Sequence, residues 1–238
     1  MKQLSFWEII KEDFSIVWER DPAIHSKFEL LTNYPGVWSI FWYRIAHRLY
    51  KRGFKLFARV IMGINQIFTG IDIHPAATIG RRVFIDHGIG VVIGETAIVE
   101  DDVTIYQQVT LGGVSLQHGK RHPTIKSGAV IGAGAKVLGN ITIGKNAKIG
   151  ANSVVVKDVP DECTAVGIPA RVVRKGLDKS RLAHNKLPDI DKELFEYLLK
   201  RFAILEHAYM SGDKDLLKKE EELDKIYQEF LKSMKLKD

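Results

Sequence analysis

Two short stretches of the chain hold side chains able to do chemistry. In FIDHGIG, residues 84–90, His87 stands between an aspartate and a glycine; in KRHPT, residues 120–124, Arg121 and His122 are adjacent. Imidazole is the side chain that exchanges a proton near neutral pH. A lone histidine is usually a surface or core residue. These two are set apart because each lies where a regular pattern breaks.

The pattern is an aliphatic residue every six positions. It runs through Ile73, Ile79 and Ile85, then Ile93, Val99, Ile105 and Leu111, then Ile125, Ile131, Val137, Ile143, Ile149 and Val155. Glycine often follows, and a small residue or valine stands four places on. A step of six fits neither an amphipathic helix nor a hairpin sheet. It fits a prism of short parallel strands, with one aliphatic residue per side pointing inward and about 18 residues per three-sided coil. Stacked coils then share one continuous core.

Numbered from Ile73, the slip between Ile85 and Ile93 falls on side three, which is expected to gain two residues and to carry His87. Asp72 is expected to end side three one coil lower, on the same face, where its carboxylate can hold the imidazole. The second break, residues 112–124, reads as an excursion that replaces most of one repeat and re-enters side three at Ile125. Arg121 and His122 then lie near the end of side two, on another face from His87. A ring of three prisms brings the two faces together, so the active site is expected between subunits. Asp86 is either a turn cap or part of the site. His74 is structural or a neighbour of the site, His118 a loop cap, and His25, His47, His184 and His207 lie on helical stretches with no case for chemistry.

Residues 1–70 read as helices, with breaks at RDPA and NYPG. Residues 175–238 are amphipathic and charge-rich. There Leu216, Leu223 and Phe230 lie seven apart, the spacing of a short bundle or coiled coil that packs within the oligomer or binds a partner. The fold class is therefore α+β: helical domain 1–70, repeat domain 71–174, helical extension 175–238. The formal charge of +6 arises from 35 basic and 29 acidic residues. They are interspersed, and without basic–aromatic interleaving nucleic acid is not an expected partner. The single cysteine, Cys163, fits a reducing cytoplasm. No uninterrupted apolar run is long enough for a membrane span, and no leader peptide is read at the start.

DIHPAATIG, IDHGIGVVIGETA, VTLGG, RHPTI, IGAGAKVLGNITIG and VGIPARVV together resemble serine O-acetyltransferase, within the hexapeptide-repeat acyltransferases; the likeness runs from about Arg20 to Arg174 and includes RDPA. The resemblance implies a left-handed parallel β-helix and transfer of acetyl from acetyl-CoA to the L-serine hydroxyl, giving O-acetyl-L-serine on the route to cysteine. It also implies His87 as general base and Asp72 as its orienting carboxylate. Serine would be held by Asp21, Pro22, Asp86, Arg121 and His122, and CoA by Gly113, Ala133, Lys148 and Ala151. No metal is expected, because the thioester is already activated. L-cysteine is implied as an inhibitor in the serine site. The short helical N-terminus favours a homotrimer over a pair of trimers. The KLKD end lacks the closing isoleucine of many members, so docking to the next pathway enzyme is not expected.

Three rival readings stand beside this one. The first is a hexapeptide acyltransferase with another hydroxyl or amine acceptor. The second is a β-helix metal-dependent hydratase using His87 and His122 with His74 or His118. The third is a non-catalytic scaffold acting through its helical tail.

Overall fold

The computed structural model describes residues 4–173, 190–211 and 225. Four helices come first: α1 (Phe6–Arg20), α2 (Lys27–Thr32), α3 (Pro35–Lys51) and α4 (Lys55–Thr69). Ser5 caps α1 reciprocally with Glu8, satisfying two amide groups at the helix start. Helices α3 and α4 are separate because Gly53 turns the chain between them with a φ of 93°.

The repeat domain is a three-sided parallel β-helix. Side one stacks Asp72–Ile73, Val92–Ile93, Thr110–Gly112, Lys136–Leu138 and Val154–Val155. Side two stacks Thr78–Ile79, Ile98–Val99, Thr124–Ile125 and Thr142–Ile143. Side three stacks Phe84–Ile85, Thr104–Ile105, Val130–Ile131, Lys148–Ile149 and Thr164–Gly167, and Ala170–Val173 closes it antiparallel. The aliphatic residues of the sixfold pattern pair coil on coil: Ile73 with Ile93, Ile79 with Val99, Ile85 with Ile105. All of them are buried.

Two expected placements are corrected. Ile125 pairs with Val99 and Ile143, so the 112–124 excursion returns to side two, not side three. It lengthens the corner between sides one and two without replacing a repeat, and Arg121 and His122 precede side two. Asp72 opens side one, paired with Val92; it does not end side three. The two extra residues near His87 leave the side-three strand unchanged and enlarge the corner that follows it.

Helix α3 seals the open end of the coil, where unpaired strand groups would otherwise be left unsatisfied. The Tyr43 hydroxyl donates to Ala77 O at 2.7 Å and accepts from the Ile79 N–H at 3.1 Å. The Arg44 guanidinium donates to Ile79 O and Gly80 O and pairs with buried Asp13. His47 Nδ1–H donates to Pro75 O at 2.8 Å. At Gly36 a side chain is excluded, since a Cβ would fall 2.1 Å from Ile85 O. The Tyr43, Arg44 and His47 contacts fix the helical domain to side two and its corners, and Gly36 against Ile85 brings it onto side three beside Asp86. Helix α5 (Ile190–Ser211) falls in the expected C-terminal extension. The heptad residues Leu216, Leu223 and Phe230 lie outside the described residues. Among the described residues no helix is long and apolar enough to cross a membrane.

Candidate active site

At the edge between sides three and one, five residues, 86–90, separate buried Ile85 from buried Val91. His87, Gly88 and Gly90 all adopt positive φ, at 57°, 81° and 77°. An ordinary corner here needs one such residue, as at Gln108 and Gly134 one and two coils higher. The enlarged turn rests on the junction of α4 with the coil, because the Gly90 N–H donates to Gly70 O at 2.8 Å. A Cβ on Gly88 would lie 2.5 Å from Ile71 Cδ1. The backbone thus packs downward and the His87 ring projects outward, its side chain 72% exposed.

Asp86 is held inward beside it, 3.9 Å from His87 Nε2. Burial pushes the Asp86 carboxyl above the usual carboxylate range, and the nearby Asp21 charge adds to this, while His87 opposes it. Asp21 is the C-cap of α1 and is half-buried. Its neighbour Arg20 donates to Asp102 Oδ1 at 3.0 Å and to Thr104 Oγ1 at 2.7 Å, stapling the helix end to side three. Pro22 stands in the exposed turn that follows. Asp72 does not reach His87 by a hydrogen bond. Its charge acts instead on His74, whose Nδ1 accepts the Ala76 N–H at 3.1 Å.

Above His87 the same edge rises through Tyr106, Gln107 and Gln108 one coil up, then through small residues two and three coils up. The Gln108 N–H donates to Ile89 O, Gly134 N–H to Gln107 O and Asn152 N–H to Ala133 O, each within 2.9 Å. Ala133 and Ala151 therefore lie on the His87 edge two and three coils up, and Lys148 lies on the adjoining side-three strand. With coils about 4.8 Å apart, this makes a shallow track leading down to His87.

The second edge, between sides one and two, is built differently. Arg121 pairs with Glu95 at 2.5 Å. His122 is buried, and its Nδ1 accepts the Thr96 N–H at 3.2 Å. Thr96 Oγ1 accepts the N–H groups of Arg121 and His122, so its own proton points to Nδ1, 2.9 Å away. Nδ1 being an acceptor, the ring proton is on Nε2. Burial first, then Arg121 and Lys120, lower the His122 pKa below the ordinary imidazole range. His122 is thus a neutral Nε2–H donor. Gly113 stands here, where a Cβ would come within 3.1 Å of His122 Nε2.

One chain therefore gathers Asp21, Asp86, His87, Ala133, Lys148 and Ala151 along one edge, and Gly113, Arg121 and His122 at another. Sequence reasoning missed Glu95, Thr96, Arg20 and Tyr34. Glu95 and Thr96 follow the glycine of the second coil, but the irregular length of the loop hides their pairing with residues 26 positions away. Among the described residues no group of three or more His, Cys, Asp or Glu side chains is placed to hold a metal ion.

Residues 122–157 match the family model of bacterial transferase hexapeptide repeats. The serine acetyltransferase of Bacillus subtilis (strain 168) is 54% identical over 195 residues, which is 81% of this chain and 90% of that protein. A solved serine acetyltransferase in complex with cysteine superposes with a TM-score of 0.68 and 46% identity, covering 70% of this chain and 69% of that one. The coenzyme A complex of serine acetyltransferase from Brucella abortus strain S19 gives 0.69 and 44%, covering 71% and 68%. With more than half of the residues identical to a curated relative across four-fifths of its length, and the same fold, this chain belongs to the serine acetyltransferase family.

Proposed function

We propose that this chain transfers acetyl from acetyl-CoA to the hydroxyl of L-serine, with His87 as the general base. His87 takes the hydroxyl proton as the serine oxygen bonds to the thioester carbonyl carbon. The C–S bond breaks, and the proton passes to the departing thiolate, giving O-acetyl-L-serine and CoA. Such base assistance contributes about 10²–10⁴ in rate. Asp86 and Asp21 receive the ammonium. Arg121 takes the carboxylate in a bidentate grip, which requires it to be shared with or released from Glu95. His122 donates from Nε2, and Pro22 borders the ammonium side. Ala133, Lys148 and Ala151 line the CoA track, with Gly113 at the other edge. Asp72, which makes no hydrogen bond to His87 in the free chain, is assigned as the carboxylate that orients the ring in the substrate complex. L-cysteine, with the same ammonium and carboxylate, competes with serine.

The observation that carries this reading is the exposed imidazole on a left-handed turn, beside Asp86, which itself feels Asp21, on the edge that carries Ala133 and Ala151 two and three coils up. The two half-sites on separate edges support a homotrimer in which each site is completed by a neighbour. The apolar face of α4 also supports it: Leu56, Phe57, Ile67 and Phe68 are 66–84% exposed, and Ile89, within the His87 turn and beside Gly70, continues that face. Burying such a face is the main driving force for association.

The test is CoA release with and without L-serine. Release is expected to depend on serine and to fall about 10²–10⁴-fold in His87→Ala, with the trimer intact by light scattering. Equal turnover by the variant would remove His87 as the base. Faster release with homoserine or an amino sugar would name a different acceptor.

A further inference from the structure

Asp21 is held at both of its oxygens. Oδ1 accepts the Ala23 N–H at 2.8 Å, and Oδ2 accepts the Tyr34 hydroxyl at 2.6 Å. Tyr34 reaches it from a separate element, as the N-cap residue of α3, where its side chain makes no capping bond. Its ring packs against the small cluster of Ile16, Val17, Ile24, Leu30, Val37 and Phe84. Phe84 belongs to the strand that ends one residue before Asp86. The phenol is thus anchored on the same strand that presents the second carboxylate.

We propose that Tyr34 is a positioning residue for the substrate ammonium: its hydroxyl fixes the Asp21 carboxylate toward Asp86, so that the two anions stand ready for one cation. This rests on the reading that Asp21 and Asp86 receive the ammonium.

Two carboxylates brought together without a cation repel each other, and an unrestrained Asp21 would turn toward water. The Ala23 bond restrains one oxygen; the Tyr34 bond sets the rotation of the other. Burial, and then the Asp21 carboxylate, push the Tyr34 hydroxyl ionisation up, so it remains a donor throughout the working pH range. Each Asp21 oxygen keeps a further lone pair for the ligand. Holding the repulsion in place before binding means an incoming ammonium relieves it, and a substrate lacking the ammonium gains nothing. Tyr34 therefore acts on selectivity for an amino acid over its deaminated analogue.

The experiment compares L-serine with 3-hydroxypropionate as acceptors for wild type, Tyr34→Phe and Asp21→Asn. Phenylalanine keeps the ring packing and removes only the hydroxyl. In Tyr34→Phe the serine KM is expected to rise about 10-fold, the lower end for a hydrogen bond to a charged group. The kcat and the acetyl-CoA KM should stay within about twofold, and the preference for serine over 3-hydroxypropionate should fall by the same tenfold as the KM rises. Calorimetric binding of L-cysteine should weaken in parallel, with CoA binding unchanged. If Asp21→Asn loses the preference and Tyr34→Phe keeps it, the Tyr34 role is overturned and the ammonium site stands. If Asp21→Asn also keeps it, the ammonium site itself is wrong. A Tyr34→Phe enzyme weakened equally toward serine, 3-hydroxypropionate and CoA would reduce Tyr34 to a packing residue.

Discussion

At the edge after side three, His87 stands mostly exposed on a turn of left-handed residues, with a half-buried carboxylate beside it. At the edge after side one, His122 is buried, its Nδ1 held by Thr96 and its neighbour Arg121 held by Glu95. The same side chain is presented in opposite ways. An imidazole that must take up and release a proton needs an open nitrogen and access to substrate. One that must donate a hydrogen bond needs a fixed tautomer, which Thr96 supplies, and a depressed pKa, which burial with two nearby cations supplies. In the proposed mechanism two histidines of one chain serve proton transfer and recognition because their surroundings differ, not their chemistry.

The largest expected effect tests whether the two edges serve one site. His87→Ala and Arg121→Ala subunits should each be nearly inactive alone. Refolded together at equal ratio, about one site in four should combine an intact His87 edge with an intact Arg121 edge from the neighbour. Recovery toward a quarter of wild-type activity supports the shared site, and no recovery breaks the pairing of the edges.

A smaller loss is expected on tightening the second edge. A Cβ at Gly94 would lie 2.0 Å from His122 Cδ2, so Gly94→Ala must displace a ring that Thr96 otherwise fixes. A misplacement of about 1 Å costs on the order of 10²-fold in kcat/KM for serine. Circular dichroism should show the fold retained. Unchanged kinetics would mean that the fixed ring is not used.

The smallest effect is on stability. Burial lowers the pKa values of His47, His74 and His122 from 6.5. Below about pH 6.5 the unfolded chain binds protons that the folded chain refuses, so stability is full above that pH and declines as pH falls toward the depressed values. The unfolding midpoint should be several degrees lower at pH 5.5 than at pH 7.5, and His122→Asn should flatten that slope. A midpoint insensitive to pH in this window would contradict the buried, neutral state of the second edge.

Much of the coil was legible because each strand residue points in or out by simple alternation, and a step of six brings the same side around every eighteen residues. Ile73 over Ile93 and Ile79 over Val99 follow from that arithmetic. The arithmetic failed where residues leave the wall. It puts Asp72 and Ile125 on the wrong side because it counts corner residues as strand or repeat.

What the sequence alone determined is the prism, its inward-facing residues and the two points where it is interrupted, since periodic burial propagates along the chain without reference to anything distant. What only the tertiary structure decided is what each interruption faces. Thr96 and Glu95 meet His122 and Arg121 across a loop of irregular length, and Asp21 with Tyr34 meets Asp86 through helix docking on side three. Loop return and helix docking are set by packing and hydrogen-bond satisfaction between remote segments, and no local spacing encodes those.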